Sequence, residues 1–168
     1  MDNLDHILRI FDRDEPADQP VTASVGPQRS LRLSVLLPVR DQRWLLPESI
    51  DRLLSAPVSN ELEIVAVDDA STDGSWEVLE GLAAEEPRIR LVRHERRRGW
   101  GAAIRTAIEH MTGEVAALQD VPLAYDPAEW GRLMQPILED RADAVTGSRL
   151  SAPQGLVRGY RGTWLCRG

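Results

Sequence analysis

From residue 31 onward, apolar residues alternate between strand-like runs and helix-like stripes. The strand-like runs are LRLSVLLP, LEIVAVDD, RIRLVRH, EVAAL and ADAVTGS. Between them, apolar residues recur three or four positions apart, as in an amphipathic helix. One such helix is expected to start near Pro47, and another to end at Gly113, because glycine commonly follows the last turn. Strands that alternate with helices predict an α/β fold, a largely parallel sheet with helices on both faces.

Local helix signals agree most clearly after Asp126. This residue suits the N-cap position, Pro127 suits the first helical position, and Glu129 occupies the reach-back position of a capping box. The residues that follow predict one apolar face: Trp130, Leu133, Met134, Ile137 and Leu138. Asp126 is therefore interpreted as a helix cap rather than a catalytic acid.

The patterning divides the chain into three parts. Residues 1–30 form an arm with a short amphipathic helix and a flexible linker, residues 31–150 form the α/β domain, and residues 151–168 form a C-terminal tail. The helix of the arm is too short to be stable alone, so we expect it to dock on the domain or on a partner subunit. The glycine-rich tail is interpreted as irregular in preference to a surface for lipid headgroups or phosphate.

Composition narrows the function classes. The formal net charge of −7 argues against nucleic acid as a partner. The chain contains no lysine, which excludes Schiff-base chemistry and a lysine-dependent phosphate loop, and its one cysteine, Cys166, cannot form an internal disulfide. No apolar run approaches the roughly 20 residues that span a bilayer. These features favour a cytoplasmic protein, with peripheral membrane contact as an option.

Polar residues cluster where the predicted strands end, which is where open α/β sheets bind ligands. Asp68 and Asp69 form an adjacent pair after the second strand, Asp120 follows the fourth, and Arg149 follows the fifth. Turn chemistry alone does not require two neighbouring acids. Their carboxylates would accept hydrogen bonds from a base or a ribose hydroxyl, or hold a cation.

Five motifs in order and spacing resemble a known family. They are LSVLLPVRD, LEIVAVDDASTDGSWEVL, RLVRHERRRGWGAAIRTAIEHMTGEVAALQD, YDPAEWGRLMQPIL and ADAVTGSRL. Together they resemble the inverting family 2 glycosyltransferases of the GT-A fold, nearest to the dolichyl-phosphate and polyprenyl-phosphate mannosyl- and glucosyltransferases. The resemblance covers about residues 31 to 150. It implies a Rossmann-like sheet that binds a UDP- or GDP-linked sugar.

The resemblance also implies roles for individual residues. Pro38 would lie against the base, Asp68 and Asp69 would belong to the base and ribose pocket, and Arg149 would face the phosphates. Asp120 would be the first acid of an Asp-x-Asp motif that holds magnesium or manganese. Arg98 and Gly99 match the family motif at the start of a helix, where backbone N–H groups are expected to join arginines in holding a diphosphate; a solvated charged loop is the alternative.

Two departures from the family pattern concern the base and the metal. In the first loop, Arg40, Asp41 and Gln42 stand where the family usually has Tyr-Asn-Glu, which alters the expected base contacts. The family has a second acid in the metal motif, and this chain has Pro122 in its place. The family also has a polar residue two positions later, and this chain has Ala124 there. Neither side chain can ligate a hard cation, so Asp120 is left as a weak metal site. Two functions follow: a glycosyltransferase in which arginines compensate for the metal, or a noncatalytic relative that serves as a nucleotide-binding or assembly module.

Overall fold

The computed structural model describes residues 31–58, 61–121, 123, 126–147 and 164–167. The predicted N-terminal arm, the predicted ligand Arg149, and the substituted metal-motif positions Pro122 and Ala124 lie outside the described residues.

The strands of the described residues form one mixed sheet. In chain order they are β1 (Leu33–Val39), β2 (Leu62–Asp68), β3 (Ile89–Arg93), β4 (Val115–Leu118), β5 (Ala144–Thr146) and β6 (Trp164–Arg167). Their spatial order is β3-β2-β1-β4-β6-β5. The strands β1 to β4 run parallel to one another, whereas β6 is antiparallel to both β4 and β5. The sheet is mostly parallel, which confirms the prediction.

Helices follow the strands as the pattern predicts. They are α1 (Leu46–Leu54), α2 (Ser75–Glu85), α3 (Trp100–His110) and α4 (Trp130–Leu138), with a 3-10 turn at Pro127–Glu129 before α4. The Asp126 side chain accepts a hydrogen bond from the Ala128 amide at 3.1 Å, which confirms it as a cap. Within the described ranges, no helix combines the length and the apolar character that crossing a bilayer requires.

Both faces of the sheet are covered because neighbouring side chains of a strand point to opposite sides. On one face, Leu33 and Leu37 of β1 pack with Ile50 of α1, Leu79 of α2 and Trp130 of α4. On the other face, α3 packs its small residues against the sheet: Ala103 and Ala107 against Leu36, Val65 and Val67. Each fully buried leucine or isoleucine contributes about 1.5–3 kcal/mol. The small α3 residues let that helix lie close to the sheet.

The role of Gly113 differs from the predicted helix stop, because α3 ends at His110 and Met111 is already extended. A Cβ added at Gly113 would lie 2.6 Å from the carbonyl oxygen of Arg32 and 2.6 Å from Ser34 Oγ. Glycine is therefore needed for the chain to pass close to β1 as it enters β4, and not to cap the helix.

The C-terminal segment contains a strand that the sequence analysis does not predict. Cys166 of β6 lies opposite Ala116 of β4, and Leu165 lies opposite Val145 of β5. For residues 164–167 the irregular-tail interpretation is wrong, because an aromatic and apolar stretch fits between two strands that would otherwise expose unpaired edges. The glycines before this stretch favoured irregular structure, which is why the sequence did not predict a strand here.

Candidate functional site

The carboxyl ends of β1, β2, β3 and β4 meet at one side of the sheet, which we call the carboxyl edge. Val39 pairs with Asp68, and Leu36 pairs with Leu118, so Asp120 comes two residues after a position level with Leu36. The amide of Gln119 still donates to the Leu36 carbonyl at 3.1 Å, which fixes the chain just before Asp120. The polar residues that follow β1, β2, β3 and β4 are therefore brought to the same edge.

Two loops of this edge, residues 40–45 after β1 and residues 69–75 from the end of β2 to the first residue of α2, are hydrogen-bonded to each other. The bonds are Asp41 N to Ser71 Oγ at 2.9 Å, Thr72 N to Asp41 Oδ1 at 2.7 Å, Gln42 N to Ser75 Oγ at 2.8 Å, and Arg43 N to Asp73 Oδ2 at 2.9 Å. The Thr72 amide is the main reason that the pKa of Asp41 lies below its ordinary value, with the Arg40 side chain adding to it. These bonds give the loops one defined conformation.

Arg40 fixes the turn that follows β2. Its Nη1 donates to the carbonyl oxygens of Asp69 and Ala70, each at 2.6 Å, while its Nε donates to Asp41 Oδ2 at 2.8 Å. Ala70 and Asp41 both have left-handed backbone conformations, with φ of 58° and 51°. Aspartate tolerates this region, whereas alanine is strained there. The guanidinium therefore stabilises a turn that the local sequence does not favour.

Asp69 holds the start of α3. Its Oδ1 accepts from the Arg98 amide and from His94 Nδ1, each at 2.7 Å, and its Oδ2 accepts from the Gly99 amide at 2.8 Å. Burial raises the pKa of Asp69, but the bonds from His94, Arg98 and Gly99 outweigh burial and bring the pKa below its ordinary value. Asp69 is therefore a carboxylate that is charged at neutral pH, as well as a backbone anchor.

His94 extends this network into the protein. It is 5% exposed, and its Nε2 lies 3.0 Å from Oγ1 of Thr106, which is 7% exposed. The chain Asp69, His94, Thr106 thus links the ends of β2 and β3 to the middle of α3. A buried imidazole with both nitrogens bonded is a stable structural element.

The amides of Arg98 and Gly99 donate to Asp69, so these two N–H groups of the predicted phosphate-binding helix start already have a partner. The carboxylate already takes the place that an anion would have at the helix N-terminus. Side chains of the basic run are a further source of positive charge at this edge. Arg96, Arg97 and Arg98 are exposed here.

A cavity of about 130 Å³ opens at the carboxyl edge. It is lined by residues from the ends of β1, β2 and β3 and the start of α3: Pro38, Val39, Arg40, Asp69, Arg97, Gly99, Trp100 and Ala103. Gly99 has φ of 92°, and a Cβ added there would meet no atom within 4 Å, so its open side faces space rather than packing. The cavity is smaller than the roughly 300 Å³ at the low end of ligand pockets and has room for part of a ligand.

Asp120 is connected to this cavity through Trp100. The indole Nε1 of Trp100 donates to Asp120 Oδ1 at 2.8 Å, and Trp100 is 48% exposed. The bond joins a residue after β4 to the first residue of α3. Trp100 is not among the predicted site residues. The spacing between Trp100 and Asp120 in the sequence carries no signal of this contact.

Asp68 lies apart from the cavity-lining residues. It is 0% exposed, and its carboxylate accepts from the Ser71 amide at 3.2–3.3 Å and lies 3.4 Å from Arg93 Nε. Arg93 in turn stacks over the Trp76 ring, with Cζ 5.0 Å from its centroid. Asp68 thus anchors the turn before α2.

The predicted site residues therefore separate. Pro38 and Asp69 line the cavity, Asp120 reaches it through Trp100, and Asp68 does not line it. The basic run contributes Arg97 to the lining, whereas Arg98 contributes its backbone amide to Asp69. Arg40, His94 and Arg97 stood among the polar residues after the strands, so chain position was the signal that could have selected them.

Among the described residues of this edge, the carboxylates are not grouped into a metal site. In the part of the chain that the structure describes, no group of three or more histidine, cysteine, aspartate or glutamate side chains is arranged to hold a metal ion. One oxygen of Asp120 is bonded to the Trp100 indole, and Pro122 and Ala124 offer no side-chain oxygen. A hard cation needs several such ligands.

An open, mostly parallel sheet with a cavity at its carboxyl edge is the arrangement in which α/β proteins bind ligands. The family model described as Glycosyl transferase family 2 matches residues 34–166. The chain belongs to this family, which confirms the resemblance read from the motifs.

Curated relatives match most of the chain. The chain is 29% identical over 119 residues to a dolichol-phosphate mannosyltransferase of Pyrococcus furiosus, covering 71% of this chain and 33% of that protein. It is 27% identical over 146 residues to a dodecaprenyl-phosphate galacturonate synthase of Rhizobium johnstonii, covering 82% of this chain and 42% of that protein. The chain thus spans less than half the length of these relatives.

Solved structures agree on the fold. A mannosyltransferase of Pyrobaculum calidifontis in complex with GDP-Man and Mn²⁺ has a TM-score of 0.54 and 31% identity, covering 61% of this chain and 30% of that one. S. aureus TarS in complex with UDP has a TM-score of 0.59 and 21% identity, covering 67% and 34%. The fold is therefore that of GT-A glycosyltransferases.

Proposed function

We propose that the carboxyl edge binds the nucleotide part of a UDP- or GDP-linked sugar, and that the chain is the donor-binding portion of a sugar transferase. The observation that carries this proposal is the cavity at the ends of β1 and β2, where Pro38, Asp69, Arg97 and Trp100 line one space. The relatives that bind GDP-Man and UDP support the ligand class.

The chemistry of sugar transfer requires positive charge at this edge. An acceptor oxygen attacks the sugar carbon, and the bond to the nucleoside diphosphate breaks, so negative charge grows on the leaving phosphate. We assign Arg97, which lines the cavity, to that charge, with Arg98 and the predicted ligand Arg149 as further contributors. Arginine suits the task because its planar guanidinium donates two parallel hydrogen bonds to phosphate.

We further propose that nucleotide binding by this chain does not depend on a divalent ion. The mannosyltransferase of Pyrobaculum calidifontis holds Mn²⁺ with its sugar nucleotide, so the family uses a metal. In this chain the ligand set around Asp120 is poor, and arginines take over the neutralisation. Pro122→Asp combined with Ala124→Glu is expected to restore metal dependence.

The acceptor is proposed from the relatives, whose names specify dolichol phosphate and dodecaprenyl phosphate. A polyprenyl phosphate lies in a membrane, so we propose peripheral contact of the protein with the membrane. We place the protein itself in the cytoplasm. We also propose that the N-terminal arm docks on the domain or on a partner subunit.

Titration calorimetry of the full chain with UDP, GDP, UDP-sugars and GDP-mannose, each in manganese and in EDTA, tests the proposal. We expect binding in EDTA, and Arg97→Ala is expected to weaken it by about 1.5–3 kcal/mol. Arg88→Ala is the matched control, because Arg88 precedes β3 at the opposite edge of the sheet and pairs with Glu86 at 2.7 Å.

The outcomes separate the alternatives. Absence of binding to every nucleotide would refute the proposed site, and much tighter binding in manganese than in EDTA would refute metal independence. Binding without release of UDP or GDP from a sugar nucleotide plus polyprenyl phosphate would favour the noncatalytic module.

A further inference from the structure

Trp100 forms an aromatic wall of the cavity at the carboxyl edge. It is the first residue of α3, lines the cavity and is 48% exposed, and its indole N–H donates to Asp120 at 2.8 Å. An indole with this much exposure would ordinarily sample several rotamers. A hydrogen bond to a carboxylate is stronger than one between neutral groups and selects one orientation of the ring.

Both ends of this bond are anchored by the backbone. The chain before Trp100 is held by Asp69, which accepts from the Arg98 and Gly99 amides. The chain before Asp120 is held by the bond from the Gln119 amide to the Leu36 carbonyl. The ring therefore stands between two fixed points, one after β3 and one after β4.

The cavity between Pro38 and Trp100 suits a planar group. Its volume of about 130 Å³ is a fraction of a typical ligand pocket, and these two residues give it apolar surfaces. The Asp69 carboxylate already accepts three hydrogen bonds, from His94, Arg98 and Gly99. Aromatic side chains stack on nucleobases because every base has a π-face.

We propose that Asp120 is a positioning residue that holds the Trp100 indole as a stacking surface for the nucleobase, with Pro38 on the same cavity. Asp120 thus acts here as a hydrogen-bond acceptor rather than as a cation ligand. The proposal rests on the proposed function, since it assigns the base of the same nucleotide.

Four variants separate the acceptor role from the charge, with UDP and GDP affinity measured in EDTA. Asp120→Asn keeps an acceptor oxygen and should stay within about threefold of the unmodified protein, whereas Asp120→Ala should lose about tenfold. Trp100→Ala should lose about tenfold or more, and Trp100→Phe, which keeps a ring without the donor, should fall between. Trp44→Ala is the control, because Trp44 is 84% exposed and does not line the cavity.

The indole N–H resonance of Trp100 in a ¹⁵N-labelled sample gives a readout that does not need a ligand. It should shift strongly in Asp120→Ala, little in Asp120→Asn, and move again when UDP or GDP is added. Equal loss of affinity in Asp120→Asn and Asp120→Ala, or unchanged affinity in Trp100→Ala, would overturn the proposal. If the unmodified protein bound no nucleotide, the proposed function would fail, and an unshifted resonance in Asp120→Ala would separately refute the Trp100–Asp120 bond.

Discussion

Glu63 of β2 and Asp69, the residue after β2, lie near opposite ends of α3 and differ in what surrounds them. At the carboxyl edge, Asp69 accepts from the Arg98 and Gly99 amides just before α3. At the opposite edge, Glu63 accepts from the Thr112 amide and from the Gly113 amide at 3.2 Å, just after α3 ends. Both acids therefore fix the chain where it enters or leaves the same helix.

The surroundings of the two carboxylates explain the difference. Glu63 also accepts from the hydroxyl of Ser34, a residue that is 0% exposed, and Gly113 leaves no space for a Cβ beside Arg32 and Ser34. Asp69 stands beside a cavity, and a Cβ at Gly99 would meet no atom within 4 Å. The same hydrogen-bond chemistry closes one edge of the sheet and leaves a binding space at the other.

The largest effect is expected where the closed edge is most crowded. Gly113→Ala would place a methyl group 2.6 Å from the Arg32 carbonyl oxygen and 2.9 Å from the Ser34 amide, both backbone atoms that cannot turn away. We expect the free energy of unfolding to fall by about 3 kcal/mol in urea titration.

Gly81→Ala is the matched control for this change. Gly81 lies inside α2, and a Cβ there would meet nothing within 4 Å. Alanine favours a helix interior, so this variant should gain about 0.5–1 kcal/mol. A Gly113→Ala variant as stable as the unmodified protein would mean that the entry to β4 is not tightly packed.

The two carboxylates themselves give the next largest effect. Asp69→Asn and Glu63→Gln each put an amide N–H₂ among hydrogen-bond donors, and each should lower the free energy of unfolding by about 1.5–3 kcal/mol at pH 7. Only Asp69→Asn should also weaken UDP or GDP binding, measured by calorimetry. Equal loss of nucleotide affinity in both variants would remove the distinction between the two edges.

Acid unfolding provides a second measurement on the same variants. For Glu63, burial raises the pKa, while hydrogen bonds from Ser34 and Thr112 lower it by more, so the pKa is lowered overall, as it is for Asp69. Their stabilisation is therefore fully present above the unfolded pKa of about 4 and is lost as the pH falls through the lower folded value. Each variant should show a smaller loss of stability below about pH 4 than the unmodified protein.

Much of the fold could be predicted from the sequence. The different roles of Asp68 and Asp69 also had a signal in the sequence, which the prediction did not use. The alternation of Leu62, Ile64 and Ala66 on one face continues to Asp68, so Asp68 had to point into the core under α2. Asp69 follows the end of the strand and turns to the cavity. The pair of acids thus has two roles, which the residue types alone did not distinguish.

Other features depend on tertiary contacts that no local pattern encodes. The Trp100–Asp120 bond joins the start of α3 to the segment after β4 through a rotamer choice, and the need for glycine at position 113 arises from the Arg32 backbone just before β1. The strand at residues 164–167 becomes favourable only because β4 and β5 offer it two edges. Sequence patterning predicts elements and their order more readily than such pairings.

The smallest expected effect concerns the turn at Ala70, in the loop after β2. Ala70 has φ of 58°, a left-handed conformation that costs a residue with a Cβ roughly 1–2 kcal/mol. Glycine removes this strain but loses more entropy on folding, so Ala70→Gly should raise the free energy of unfolding by a net of about 0.5–1 kcal/mol. Arg40 donates to the Asp69 and Ala70 carbonyls whether or not residue 70 carries a Cβ, so nucleotide affinity should stay unchanged. Urea titration and calorimetry on one preparation measure both quantities. A loss of stability in Ala70→Gly would show that the interlocked loops hold this turn without strain.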